Sequence, residues 1–269
     1  MAEAAVGTAP VLLEELAEGV LTLRINRPER LNALNPELGR ALADGVERAA
    51  GNPAVRAVVL TGAGRAFCAG GDLAVIRELR DAGRGRELEP LLRSGARLIL
   101  ALRTMEKPVV AAVNGPAAGA GMNVALGCDI RIASEQATFG QNFAKVGLFP
   151  DFGGSYLLPR LAGESRAAWM LYTGEMISAQ EALRMGVVDR IVPAERVMPE
   201  ALAMAAQLAA APPLAARAVK RVLFGSDRAE LERVLQLEVE QQMRCFASED
   251  CTEGIRAFFE KRAPRFQGK

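Results

Sequence analysis

Two glycine-rich corners carry the residues best placed to do chemistry. In one, Gly119, Ala120 and Gly121 follow Asn114, Gly115 and Pro116 with almost no side-chain bulk, and they lead into a helix that begins near Ala120. A helix start of bare backbone offers N–H groups without intrahelical partners, backed by the positive end of the helix dipole, and these suit a developing negative charge. In the other corner, upstream, the stretch GAGRAFCAGGDL runs from Gly62 to Leu73, with Asp72 placed to begin a helix. If the strands feeding the two corners are neighbours in one sheet, the N–H groups of Gly71 and Ala120 converge on a single oxygen, which is an oxyanion hole. Close packing of helix on strand is the competing reading of the same glycines.

The chain contains no histidine. That removes Ser-His-Asp and Cys-His nucleophile systems, histidine metal sites and histidine as a general base. Acid–base work must then fall to Asp, Glu, Lys, Tyr or Cys. The four cysteines, Cys68, Cys128, Cys245 and Cys251, have no paired metal spacing and are too few for a disulfide scaffold. Cys68 and Cys128 sit in apolar surroundings and read as packing residues. Gly62 and Gly64 follow a strand, but the third glycine of a dinucleotide fingerprint would fall on Phe67, and the chain has no phosphate-loop motif.

With 33 Lys and Arg against 32 Asp and Glu, no net field favours nucleic acid or an anionic membrane. No apolar run approaches a membrane span, and the first ten residues, MAEAAVGTAP, lack the basic region and apolar core of a signal peptide. A cytoplasmic location is the expectation. At 269 residues the chain suits one large domain or a domain with a helical appendage; we expect an α/β core over 1–195 and a helical region over 196–269.

The elements that position the corners are legible in order. Val11 to Glu15 and Val20 to Ile25 read as strands about a Glu18-Gly19 turn. Asn35 and Pro36 open a helix with Leu38, Leu42 and Val46 on one face, closed by Gly51. A buried strand, Val55 to Thr61, then completes β-α-β and predicts a parallel sheet. The charged segment from Leu73 to Pro90, interrupted by Gly83 and Gly85, is expected to be mobile: a solvated helix and loop, or a lid. Leu91, Leu92, Leu98, Ile99 and Leu102 mark an amphipathic helix, and Val109 to Val113 the strand that feeds Ala120. Ser178 with Glu181 forms a capping box for a short helix ended by Gly186, and Val187 to Val192 is one more strand, stopped by Pro193. The rest is helical, with breaks at Pro212-Pro213 and Gly225-Ser226-Asp227. Its apolar stripes need cover from the sheet domain and from partner subunits.

These corners carry a resemblance that spans nearly the whole chain. NRPERLNAL (Asn26 to Leu34), TGAGRAFCAGGDL, KPVVAAVNGPAAGAG, CDIRIAS (Cys128 to Ser134), GLFPDFGGSYLLPRLAG (Gly147 to Gly163) and the tail EGIRAFFEKRAPRF, in this order, resemble the enoyl-CoA hydratase/isomerase (crotonase) superfamily. Within it, AAGAG, LFPDFGGSYLLPR and KRAPRFQGK are most similar to isomerases of the ring-1,2-epoxyphenylacetyl-CoA type, which belong to phenylacetate catabolism. The resemblance implies a crotonase-like ββα superhelix with a helical C-terminal trimerisation region, assembled as trimers or hexamers. It implies an acyl-CoA thioester whose carbonyl oxygen lies between the N–H groups of Gly71 and Ala120. Coenzyme A would be part of the substrate, with no separate cofactor and no metal. Contacts to it would fall at Leu31 and Ala33, along Gly71, Asp72, Leu73 and Ala74, and at Phe258 and Lys261; the last two would reach this chain's coenzyme A or a neighbour's, with an ordinary helix end and a solvated lysine as the competing reading.

The departures from the family pattern decide between reactions. Typical hydratases carry one glutamate three residues after the second oxyanion position and another in an FGQPE segment; here those positions hold Asn123 and Phe143. Neither can act as a general acid or base. The carboxylate left nearby is Asp151, between Phe149 and Phe152, where related isomerases also use one. Burial there raises its pKa and suits it to carrying a proton, although an Asp at that point can equally cap the helix that starts near Gly153. The resemblance thus implies an isomerase that shifts a double bond or rearranges a ring-derived CoA ester, with a hydratase or other lyase, and a non-catalytic acyl-CoA-binding subunit, as alternatives. Incubation with crotonyl-CoA, followed by mass and by ultraviolet absorbance, is expected to show slow or no addition of water; fast hydration by the unaltered protein would contradict the reading of Asn123 and Phe143.

Overall fold

The computed structural model describes residues 9–269; most of the N-terminal stretch inspected for a signal peptide lies outside the described residues. The chain opens with a hairpin, β1 (Leu12–Ala17) and β2 (Val20–Ile25), antiparallel with Leu12 opposite Ile25. Its two turn residues, Glu18 and Gly19, have φ of 49° and 80°, the backbone that matches strand twist in a two-residue loop. The helix α1 (Pro36–Gly51) starts as expected: the Asn35 side chain accepts from the Leu38 N–H at 2.9 Å and Pro36 occupies the first turn. Then come β3 (Ala57–Gly62), α2 (Leu73–Asp81), α3 (Glu89–Thr104) and β4 (Val109–Val113). The segment expected to be mobile is α2 and a following turn, with Ile76, Leu79 and Leu88 buried.

After β4 come β5 (Ala117–Ala118), α4 (Ala120–Gly127), β6 (Ile130–Ser134), β7 (Thr138–Gly140), α5 (Gly154–Ala162), α6 (Glu164–Thr173), β8 (Met176–Ser178), α7 (Ala179–Arg184) and β9 (Arg190–Val192). The chain closes with α8 (Val197–Ala210), α9 (Pro213–Gly225), α10 (Arg228–Phe246) and α11 (Glu249–Glu260), broken at the two expected places. Among the described residues no single helix is long and apolar enough to cross a membrane.

The main sheet has the order β1-β2-β3-β4-β6-β9 and is parallel from β2 to β9. Both faces of its centre are covered, and the two-residue side-chain period divides them. Val58, Leu60, Val109 and Ala111 point into the large core shared with α1 and α3. Ala57, Val59, Val110 and Ala112 point to the other side, where Ala201, Ala205 and Ala209 let α8 lie against the sheet. α10 packs on α3 and α5, and α11 packs on α2 and on the turn at Asn142–Val146.

Three details differ from the sequence reading. The strand expected over Val187 to Val192 is only Arg190–Val192, because the N–H groups of Val187 and Val188 both go to the Ala182 carbonyl at the end of α7. The capping box is half made: Ser178 Oγ accepts from the Glu181 N–H, but the Glu181 carboxylate turns to Arg184. A second sheet, β5-β7-β8, was not expected, since strands of two and three residues carry no readable period.

The two glycine corners are docked directly on one another. Cys68 and Ala117 form an isolated parallel bridge, the Ala118 N–H donating to the Cys68 carbonyl at 3.0 Å. Buried Asn32 ties the first corner by donating to the carbonyls of Ala63 and Ala66, and Asn114 ties the second to the Gly64 carbonyl. Gly121 makes the approach possible, because a Cβ there would lie 2.2 Å from the Cys68 carbonyl oxygen. For Gly121, close packing is therefore the right reading. Gly121→Ala is expected to lose about 1–3 kcal/mol by overpacking, whereas Gly51→Ala, where an added Cβ meets nothing within 4 Å, should be neutral or gain up to ~1 kcal/mol. Urea denaturation of the two variants checks both.

Candidate active site

Gly71 and Ala120 line one cavity of about 340 Å³. The groups on either side of Gly71 pair with Leu34, the Leu34 N–H donating to Gly70 and the Asp72 N–H to Leu34, so the Gly71 N–H faces the opposite way. Among the described residues it has no acceptor. The Ala120 N–H, first in α4 and preceded by Gly119 with no side-chain cap, also has none. The two backbones are close: a Cβ built on Gly70 would lie 3.7 Å from the Ala120 nitrogen. The position of a Gly71 Cβ meets only Ile76, at 3.1 Å, so packing of the two corners does not require this glycine. Asp72 caps α2 loosely, its carboxylate 3.5 Å from the Val75 nitrogen, and pairs with Arg27 at 3.1 Å.

Of the other residues singled out in the sequence, Ala33, Asp72, Leu73, Ala74, Phe258 and Asp151 line the same cavity. Leu31 and Lys261 do not; each lies at a left-handed bend, Leu31 with φ 51° and Lys261 with φ 54°. The wall between is apolar, from Ile76, Leu88, Leu91 and Leu92 on one side to Phe143, Val146, Leu148 and Phe152 on the other, with exposed Arg30 and Lys145 at the edge. Phe258 belongs to α11 of the same chain.

Asp151 is not the cap of α5. That helix is preceded by Gly153, with φ 75° and no side-chain cap from Asp151. The loop turns sharply at Phe152, whose φ of 51° is unusual for an aromatic residue; a Cβ on Gly95 of α3 would lie 2.3 Å from its ring. The Asp151 carboxyl is left buried on the cavity wall: Oδ2 accepts from Gln242 Nε2 at 3.0 Å, and Oδ1 has no partner. Burial pushes it up from 3.8 to about 7, the charge of Glu238 adds to the rise, and the Gln242 bond opposes it.

The helix is capped instead from a distance. Glu238 of α10 accepts from the Gly153 N–H at 2.7 Å, the Ser155 N–H at 3.0 Å and the Ser155 hydroxyl at 2.6 Å. Sequence reasoning missed both Glu238 and Gln242. The signal was present: Leu231, Leu235, Glu238, Val239, Gln242 and Phe246 form one buried stripe of α10, and two of its six positions are polar. Asn123 is fully buried, donating to the Asp151 backbone carbonyl at 2.7 Å and accepting from Gln141 at 2.6 Å. Tyr156, which reads from sequence as an unperturbed phenol, is raised by burial, lies under the Arg160 guanidinium and does not line the cavity. Two free N–H donors facing a cavity that also holds a partly unpaired carboxyl can bind an oxyanion and move a proton beside it.

The chain is similar to known proteins over most of its length. The family model described as enoyl-CoA hydratase/isomerase matches residues 15–269. The chain is 42% identical over 256 residues to a probable enoyl-CoA hydratase of Rhodobacter capsulatus, covering 95% of this chain and 97% of that protein. It is 39% identical to the 1,2-epoxyphenylacetyl-CoA isomerase of Escherichia coli K12, covering 96% and 98%. Among solved structures it is similar to an enoyl-CoA hydratase from Mycobacterium avium subsp. paratuberculosis K-10, with a TM-score of 0.86, 35% identity and coverage of 96% and 98%. The fold is thus the crotonase fold, and the chain belongs to the enoyl-CoA hydratase/isomerase family.

Proposed function

We propose that the protein isomerises an unsaturated acyl-CoA by way of an enolate. The observation that carries this reading is the shared cavity: Asp151, whose Oδ1 has no partner among the described residues, lines it together with Gly71 and Ala120, whose N–H groups are free. The thioester carbonyl oxygen accepts from Gly71 and Ala120. The Asp151 carboxylate takes a proton from the carbon next to the thioester, or from the allylic carbon beyond. The electron pair of the broken C–H bond moves into the enolate, whose negative oxygen the two donors hold. The same carboxyl returns the proton to another carbon, so the double bond shifts and no atom is gained or lost. A carboxyl raised to about 7 is populated in both forms near neutral pH, which suits a group that must first accept and then give.

Hydration is the second reading, because relatives carry hydratase names. It is disfavoured by Asn123, whose amide is committed to Asp151 and Gln141, and by Phe143, which lines the cavity with a ring. Self-association is part of the proposal; its support is the row of exposed apolar side chains on α9, Leu214, Val219, Val222 and Leu223.

A panel of acyl-CoA esters, scored by ultraviolet absorbance for double-bond migration and by mass for water, tests the reaction. In the parent's best assay, Asp151→Asn is expected to lose roughly 10²- to 10⁴-fold in kcat and Gly71→Pro about 10²- to 10³-fold. Isomerisation by folded Asp151→Asn at the parent rate would remove the base.

The raised carboxyl also fixes a stability trend. Folded Asp151 keeps its proton to about 7, while the unfolded residue releases it near 3.8. Between those values the folded state binds the extra proton, so this contribution falls as pH rises through the window. Asp151→Asn removes the loss. The variant is expected to match the parent near pH 4 and to exceed it at pH 8, by on the order of a few kcal/mol. Glu238, raised in the same sense, keeps part of the slope. Denaturant midpoints across pH measure the crossover.

A further inference from the structure

The Asp151 loop is gripped from α10 by two side chains four residues apart. Gln242 binds it twice, Oε1 accepting from the Phe149 N–H at 2.9 Å and Nε2 donating to Asp151 Oδ2 at 3.0 Å. Glu238 binds it three times beyond Asp151, at Gly153 and at the N–H and hydroxyl of Ser155. Asn123 holds the Asp151 carbonyl from the other side. Both α10 residues are buried, with Glu238 1% and Gln242 2% exposed, so the grip is built at some cost in desolvation.

We propose that Gln242 and Glu238 are positioning residues for proton transfer by Asp151: Gln242 fixes the orientation of the carboxyl, and Glu238 takes over the capping of α5 and stands as the charged neighbour. The inference rests on the reading of Asp151 as the proton carrier. By capping the helix from α10, Glu238 leaves the Asp151 carboxyl unspent. By binding Oδ2, Gln242 leaves Oδ1 as the one oxygen without a partner.

The two buried carboxyls are not equivalent. Glu238 accepts three hydrogen bonds at the N-terminus of α5, where the helix dipole favours an anion. Asp151 accepts one from a side chain. Burial raises both to about 7, but the three bonds and the dipole favour the charged form of Glu238 more than the single side-chain bond favours that of Asp151. The charged groups on the cavity wall are Arg30, Asp72 and Lys145, and from α10 the one facing group is Glu238.

The two residues act on Asp151 in opposite senses, and this gives the test. Gln242→Leu removes a donor to the carboxylate, so the Asp151 titration midpoint rises. Glu238→Gln removes a negative neighbour, so it falls. Each shift is expected to be roughly one unit. The midpoint is read by NMR on protein carrying ¹³C-carboxyl aspartate, with the signal assigned by its loss in Asp151→Asn, and the acid limb of the kcat–pH profile should move with it. If Gln242→Leu does not fold, Gln242→Glu keeps an acceptor for Phe149, replaces the donor by a carboxyl and expects the same upward shift. Midpoints that stay at the parent value in both folded variants would overturn the proposal, leaving α10 as a purely structural clamp. Full activity of Asp151→Asn would instead overturn the assignment of the base, and the NMR shifts would separate the two failures.

Discussion

The docking of one glycine corner on the other is the contact on which the rest of the site depends. Two parallel strands, β3 and β4, deliver the corners side by side, but strand pairing alone leaves their tips free to splay. The Cys68–Ala117 bridge closes them, and it closes only because nothing larger than hydrogen projects from Gly121 towards the Cys68 carbonyl. Once they are closed, the backbone groups beside Gly71 are spent on Leu34, and the Gly119 N–H is spent on Gly140. Among the described residues the Gly71 N–H and the Ala120 N–H are left without acceptors. The pair of donors is a remainder, set by which neighbours are already bonded.

A second set of constraints places a carboxyl where water would normally be excluded from any charge. Burial of Asp151 and Glu238 works against the fold at neutral pH, and the protein offsets it with six hydrogen bonds to their side chains and to the Phe149–Ser155 loop from α10 and from α4. Stability and proton transfer pull in opposite directions at this point. A chain selected for stability alone would carry asparagine at 151.

Much of the fold is legible locally because its signals are local. Asn35 and Pro36 announce α1 without reference to anything else, and Glu18-Gly19 announces the hairpin. The alternation of Ala57, Val58, Val59 and Leu60 between two cores follows from strand period alone, as does the parallel sheet from β-α-β order. Both corners are legible too, together with eight of the residues that line the cavity. What was not legible came from far away in sequence. Whether Asp151 caps α5 depends on whether another group already does, and that group, Glu238, lies more than eighty residues on. Leu31 and Lys261, named by likeness of motif, lie at left-handed bends outside the lining of this cavity. The strand at Val187 failed for a local reason instead: the N–H groups of Val187 and Val188 had a nearer acceptor in Ala182 of α7.

The cavity is finished by the end of the chain. β1 to β9 are all in place by Val192, whereas Gln242, Phe258 and Phe259 come from α10 and α11. The sheet and both corners thus precede in sequence the residues that complete the apolar cleft lined by Leu91, Leu92 and Phe152. Without α10 the Asp151 loop keeps the bond from Asn123 and loses the five from Glu238 and Gln242. The order of the chain thus gives the fold its strands before it gives the site its last residues.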